Sequence, residues 1–139
     1  HRPCKARMTP RESADAGHRC PVCGRKVTLG VLNRVEALAD RRAGFRPQGA
    51  KPFTSLIPLR EIIADTLRAG AQTKKVDKAY FELLEKLGPE LTILMDLPLA
   101  EITSTGHPDI AEAIARVRSG DVTIEPGYDG EYGRITIAR

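Results

Sequence analysis

The apolar positions follow a helical period over most of the chain and a two-residue period only at its end. Leu59, Ile62, Ile63 and Leu67 fall on one face of a helix that Pro58 can start and Gly70 can close. Thr73 stands as a cap for a second helix with Val76, Tyr80, Leu83, Leu84 and Leu87 on one stripe, and Gly88-Pro89 stops it. Between Glu90 and Ser104 the run Leu91, Ile93, Leu94, Met95 and Leu97 predicts a buried helix interrupted by Pro98. Pro108 opens a last helix with Ile110, Ala113, Ile114 and Val117 inward, ended by Gly120. Val122, Ile124, Ile135 and Ile137 then alternate with polar residues around the Gly-rich stretch 126–133, the pattern of a β-hairpin.

The first third reads differently. Thr9-Pro10-Arg11-Glu12 is a capping box with Pro at the first helical position, predicting a short helix over Pro10–Ala16 that Gly17 ends. Val31, Leu32, Val35, Leu38 and Ala39 predict a helix from Val31 to Arg42, stopped by Gly44. Pro and Gly are dense just beyond. The expected organisation is therefore a zinc-binding module with its following helix over 1–44, a linker over 45–58, and a helical domain over 59–139 ending in a hairpin. The fold class is mainly α, with a small zinc-binding module at the N-terminus and a short β-hairpin at the C-terminus.

The zinc expectation rests on spacing. His1-x-x-Cys4, fifteen residues, then Cys20-x-x-Cys23 places two pairs of ligands, each able to bend round one ion through a turn. Pro21 and Gly24 favour the tight loop of a zinc knuckle. His1, Cys4, Cys20 and Cys23 would close a tetrahedral shell, leaving no position for water, so the ion is expected to be structural Zn²⁺. His18, two residues before Cys20, is the rival fourth ligand. Three Cys in 139 residues cannot form a disulfide framework.

Composition narrows the partners. The formal net charge of +4 hides an asymmetry. Residues 1–51 hold twelve Lys or Arg against four Asp or Glu, a balance of +8, and residues 52–139 hold ten against fourteen, a balance of −4. A basic module around a metal site suits a polyanion. Arg34 lies on the second predicted helix, and Lys74 and Lys75 open a helix whose free N–H groups also favour anions. Aromatics make up only 4% of the chain, yet Tyr128 and Tyr132 both fall in the Gly-rich tail, where they can stack on bases or cover the helical core. Asp129 and Glu131 beside them would repel phosphates. No nucleophile motif, open metal site or phosphate-cradling loop is present, and no apolar run is long enough for a membrane span. A cytoplasmic binding module is expected.

Several stretches together are more specific than the knuckle. His1-Arg-Pro-Cys4, Cys20-Pro-Val-Cys-Gly-Arg-Lys-Val-Thr-Leu-Gly-Val31, Arg34-Val-Glu-Ala-Leu-Ala-Asp40, Ile57-Pro-Leu-Arg-Glu-Ile-Ile63 and Pro126-Gly-Tyr-Asp-Gly-Glu-Tyr-Gly133 resemble the C-terminal portion of endonuclease Q, in order and over essentially the whole chain. In that family an N-terminal metal-dependent phosphoesterase domain precedes a zinc-binding and a helical part, and the enzyme nicks DNA 5′ to deaminated bases, such as uracil and hypoxanthine, or to abasic sites. The family often has Cys where His1 stands. The resemblance implies that this chain is the zinc and helical part; with the charge and aromatic pattern beside it, Arg34, Lys74, Lys75, Tyr128 and Tyr132 are expected to contribute to a surface that contacts damaged DNA. Catalytic divalent metals would belong to a phosphoesterase domain upstream of His1. A stand-alone zinc-ribbon adaptor, using its acidic helical half to bind protein, is the alternative.

Overall fold

A computed structural model describes residues 1–128 and 130–137. Its helices are α1 (Pro10–Asp15), α2 (Val31–Leu38), α3 (Leu59–Thr66), α4 (Lys74–Leu87), α5 (Glu90–Met95), α6 (Leu99–Ser104) and α7 (Pro108–Ser119). Strands β1 (Val122–Glu125) and β2 (Arg134–Ile137) pair as an antiparallel two-stranded hairpin. The mainly helical class with a terminal hairpin is what the apolar periods predict.

The chain divides into two compact units. The first comprises His1–Pro52 with Glu125–Arg134, and the second Phe53–Ile124 with Ile135–Arg139. The Gly-rich tail loop thus groups with the N-terminal segment, whereas the sequence pattern kept it with the helices.

The second unit holds the hydrophobic core. Leu59, Ile62, Ile63, Val76, Leu83, Ile93, Ile102 and Ile114 are fully buried, and Ile137 of β2 joins them. Helix α7 packs on α3, α5 and α6, and α4 packs on α3 and α6. Polar links lock the helix ends into this core. Glu90 accepts from the Leu59 N–H at 2.8 Å with one carboxylate oxygen and from the Tyr80 hydroxyl at 2.8 Å with the other. Arg118 donates to the carbonyls of Ile93 and Leu94, both at 2.8 Å, satisfying the open end of α5.

Helix α3 ends earlier than expected, whereas the Thr73 start and the Pro98 break fall where the sequence places them. Helix α3 stops at Thr66, short of Gly70, because Arg68 takes the left-handed conformation (φ 50°) and the Ala69 N–H returns to the Ala64 carbonyl. Thr73 stands at the cap of α4, but its hydroxyl donates backwards to the Gly70 carbonyl at 2.8 Å and makes no cap bond. Pro98 splits 90–104 into α5 and α6, each six residues long. A helix that short buries one narrow face, so Ile93 and Leu94 point inward while Leu91 and Met95 are exposed.

The first unit is built without such a core. Among its described residues, only Cys20 and Ser13 are buried. Helix α1 has the expected capping box: the Glu12 N–H donates to Thr9 Oγ1 at 3.2 Å and the Thr9 N–H to Glu12 Oε2 at 2.8 Å. Helix α2 ends at Leu38 instead of Arg42, and Val31, Leu32, Val35 and Leu38 are all exposed, Val31 at 81%. A helix of this length gains its stability from a buried face. Without one it is confined to two turns.

Candidate metal cluster and nucleic-acid surface

Two backbone turns converge on the cluster. Arg2–Cys4 forms one turn of 3₁₀ helix, and Lys5 ends it in the left-handed region (φ 49°) with its N–H bonded to the Arg2 carbonyl at 3.0 Å. The second turn is the knuckle. The Gly24 N–H donates to the Cys20 carbonyl and the Cys20 N–H to the Arg25 carbonyl, both at 2.8 Å. Gly24 has φ 69°, a value glycine adopts without strain, and Arg19 bridges antiparallel to Lys26.

These turns bring one ligand atom each of His1, Cys4, Cys20 and Cys23 within 4.8 Å of one another. His1 Nδ1 is 3.5 Å from Cys23 Sγ. A tetrahedral Zn²⁺ shell with bonds of about 2.0–2.3 Å has edges of roughly 3.3–3.8 Å. The four side chains therefore approach that shell. His18 does not join it: its Nδ1 is 3.0 Å from the hydroxyl of buried Ser13. Left-handed Gly17 (φ 58°) and His18 (φ 56°) turn the chain so that the imidazole faces α1.

The electrostatics of the thiols fit a cation. The Cys4 thiol is pushed up to about 11, first by its hydrogen bond to Cys23, then by desolvation and by Cys20. Burial pushes Cys20 up, but backbone N–H groups of Cys23 and Val22 and the neighbouring thiols outweigh it and leave Cys20 low. One thiol in the group ionises readily and its neighbour resists, as expected where like charges crowd together. A dication at the centre relieves that conflict.

The five residues expected at the nucleic-acid surface are divided between the two units. In the first unit, Arg34 is exposed on α2. Tyr132 is fully exposed in the tail loop. Tyr128 is half-buried: its hydroxyl donates to the Lys5 carbonyl at 2.9 Å, and its ring faces Lys5 Nζ at 5.0 Å and Arg7 Cζ at 4.8 Å. Its ring covers the metal module and not the helical core. Glu131 is paired with Lys5 at 2.6 Å, and that ammonium, aided by Arg2, holds its carboxyl below the usual range. Its charge is thus largely compensated, while Asp129 lies outside the described residues. In the second unit, Lys74 and Lys75 are exposed in the first turn of α4.

Sequence reasoning missed two features. A cleft of about 440 Å³ in the first unit has Met8, Val27 and Leu29 on its walls with Arg2, Arg7 and Tyr128 beside them. Arg60, ion-paired with Asp77 and stacked on Tyr80 at 4.5 Å, lies close to exposed Phe81 on α4. Isolated Met, Arg and Phe residues carry no spacing signal that would have marked either.

Comparison with known proteins follows these boundaries. A family described as the MJ0043 C-terminal domain matches residues 58–121, within the second unit. The uncharacterized protein MJ0043 of Methanocaldococcus jannaschii is 36% identical over 133 residues, covering 96% of this chain and 17% of that protein. The uncharacterized protein YqxK of Bacillus subtilis is 27% identical over 133 residues, covering 95% of this chain and 31% of its own length. Among solved structures, the lesion-specific endonuclease of Pyrococcus furiosus, PfuEndoQ, superposes with a TM-score of 0.83 at 34% identity, covering 98% of this chain and 33% of that one. A structure of endonuclease Q in complex with a 27-mer duplex substrate, with an abasic lesion at the active site, gives a TM-score of 0.80 at 34% identity over 98% of this chain and 34% of that one. The chain thus spans about a third of the solved relatives and a smaller share of the curated ones. With 98% of its residues matched in fold at 34% identity, the chain is similar to about a third of endonuclease Q.

Proposed function

We propose that this chain is the DNA-binding and lesion-recognition part of a DNA-repair endonuclease that nicks 5′ to deaminated bases, uracil or hypoxanthine, or to abasic sites. The observation that carries this reading is the match of 98% of the chain to endonuclease Q solved on a duplex with an abasic lesion. The charge distribution supports it, with the positive balance of +8 in residues 1–51, where the metal cluster lies. His1, Cys4, Cys20 and Cys23 hold a structural Zn²⁺ that folds a segment too poor in apolar residues to fold alone. Catalytic divalent metals belong to a phosphoesterase domain corresponding to the part of the relatives outside the match.

Each surface residue has a physical task. Arg34, Lys74 and Lys75 neutralise phosphates, which fixes position without reading sequence. Tyr132 stacks on a base or fills the gap that an extruded base leaves, offsetting an unstacking cost of a few kcal/mol. Tyr128 acts in the same surface by holding the loop that carries Tyr132.

The test is binding of the zinc-loaded chain to duplexes that are intact or contain one abasic site, uracil or hypoxanthine, at several salt concentrations. The expected result is weak, salt-sensitive binding with preference for the lesion duplexes, and no cutting. Binding that ignores both salt and lesion would refute the reading and favour a protein-binding adaptor.

A further inference from the structure

The tail loop 126–133 has the composition of a flexible linker and the geometry of a closed one. A Cβ on Gly127 would lie 2.0 Å from the Glu131 carbonyl oxygen and 2.6 Å from the Gly133 nitrogen. One on Gly133 would lie 2.6 Å from the Glu125 carbonyl oxygen. Backbone therefore crosses backbone at a distance only glycine permits. At the tip, Tyr128 and Glu131 exchange both backbone hydrogen bonds, each 2.9 Å.

This closed loop meets the N-terminal turn at Lys5, with Arg7 also over the Tyr128 ring at 4.8 Å. The Lys5 ammonium donates to Glu131 at 2.6 Å, its carbonyl accepts from the Tyr128 hydroxyl at 2.9 Å, and its Nζ lies over the Tyr128 ring. Lys5 directly follows Cys4 and owes its left-handed conformation to the turn that places Cys4 in the cluster. Among its described residues the first unit has no buried apolar residue besides Cys20 that could hold Lys5 in place by packing. Tyr132, four residues beyond Tyr128, is fully exposed.

We propose that the order of loop 126–133 depends on the metal cluster: the ion fixes the Cys4–Lys5 turn, Lys5 fixes Tyr128 and Glu131, and the closed loop then presents Tyr132. Tyr128 is a positioning residue and Tyr132 the contact residue. Loss of the ion withdraws the arm as well as unfolding the knuckle. The inference rests on the metal part of the proposed function, but its test needs no DNA.

The test is hydrogen–deuterium exchange on the segment 126–133, with zinc content measured in parallel, for the zinc-loaded chain, the chelated chain, and Lys5→Ala, Tyr128→Phe, Tyr128→Ala and Tyr132→Ala variants. Chelation, Lys5→Ala and Tyr128→Ala are expected to speed exchange of the segment by about tenfold or more, since a locally anchored unit opens independently of the rest. Lys5→Ala and Tyr128→Ala should do so with zinc still bound. Tyr128→Phe keeps the ring and loses one hydrogen bond, so its exchange should fall between. Tyr132→Ala should match the parent chain. Zinc bound with exchange unchanged on chelation or in Lys5→Ala overturns the coupling alone. No zinc in the loaded parent chain overturns the metal reading beneath it. A Tyr132→Ala effect as large as that of Tyr128→Ala overturns the division between the two rings.

Discussion

Removing the metal should separate the two units thermodynamically, and the size of the effect follows from where the helices lie. Of the sixty α-helical residues among those described, fourteen belong to α1 and α2 and the other forty-six to α3–α7. Among its described residues the first unit buries one apolar side chain, Cys20, a member of the His/Cys cluster, so under the proposed zinc reading the ion replaces the core as its source of stability. Structural zinc contributes on the order of 10–16 kcal/mol of apparent binding energy near neutral pH. No small set of surface hydrogen bonds, at about 1 kcal/mol each, can compensate for its loss. Titration with a strong chelator, followed by circular dichroism at 222 nm, should therefore remove at most about a quarter of the helical signal, in proportion to those residues. The remainder should still melt cooperatively, because Leu59, Ile62, Leu83, Ile93, Ile102 and Ile114 remain packed. Restoring Zn²⁺ should restore the lost quarter. Loss of more than half the signal, or no loss at all, would refute the reasoning.

Other expectations can be checked with single substitutions and simple titrations. Ile62→Ala should lower unfolding stability by about 2–5 kcal/mol in a urea melt of the second unit, whereas Val35→Ser on α2 should change stability by less than about 0.5 kcal/mol, because its side chain is exposed. Zinc affinity, followed by competition with a chromophoric chelator, should weaken as pH falls. The metal displaces thiol protons, and a Cys4 pKa pushed up to about 11 extends that competition across the neutral range. Gly127→Ala should open the tail loop, since the added Cβ meets backbone, and should appear as lost protection of the Tyr128 and Glu131 amides. Lys74→Ala should reduce the dependence of log affinity for duplex DNA on log salt by about one, as one phosphate contact is lost.

Much of the local structure is legible because it depends on neighbours in the chain. The Thr9–Glu12 capping box, the Pro108 start and Gly120 stop of α7, and the buried face Ile110, Ala113, Ile114 and Val117 all follow from offsets of a few residues. The four residues of the cluster were likewise visible as two short spacings. What spacing left open was the choice between two histidines. His1 against His18 was decided by the paired left-handed residues Gly17 and His18, which send the second imidazole to Ser13. Periodicity placed the start of α2 correctly and its end too far along, since an apolar stripe shows that a face is greasy and not that anything covers it.

The sequence by itself determined the helical class, the sites of most helix starts and stops, and the ligand spacing, because each of these is set by backbone preferences and side chains within a turn or two. The tertiary structure alone decided that loop 126–133 groups with the N-terminal segment, that Tyr128 is spent on Lys5 while Tyr132 stays exposed, and that the first unit gathers a His/Cys cluster where the second has an apolar core. Those outcomes depend on residues more than a hundred positions apart in the chain, such as Lys5 with Tyr128 and Glu131. Their pairing is fixed by which surfaces meet on folding, and no local period encodes that.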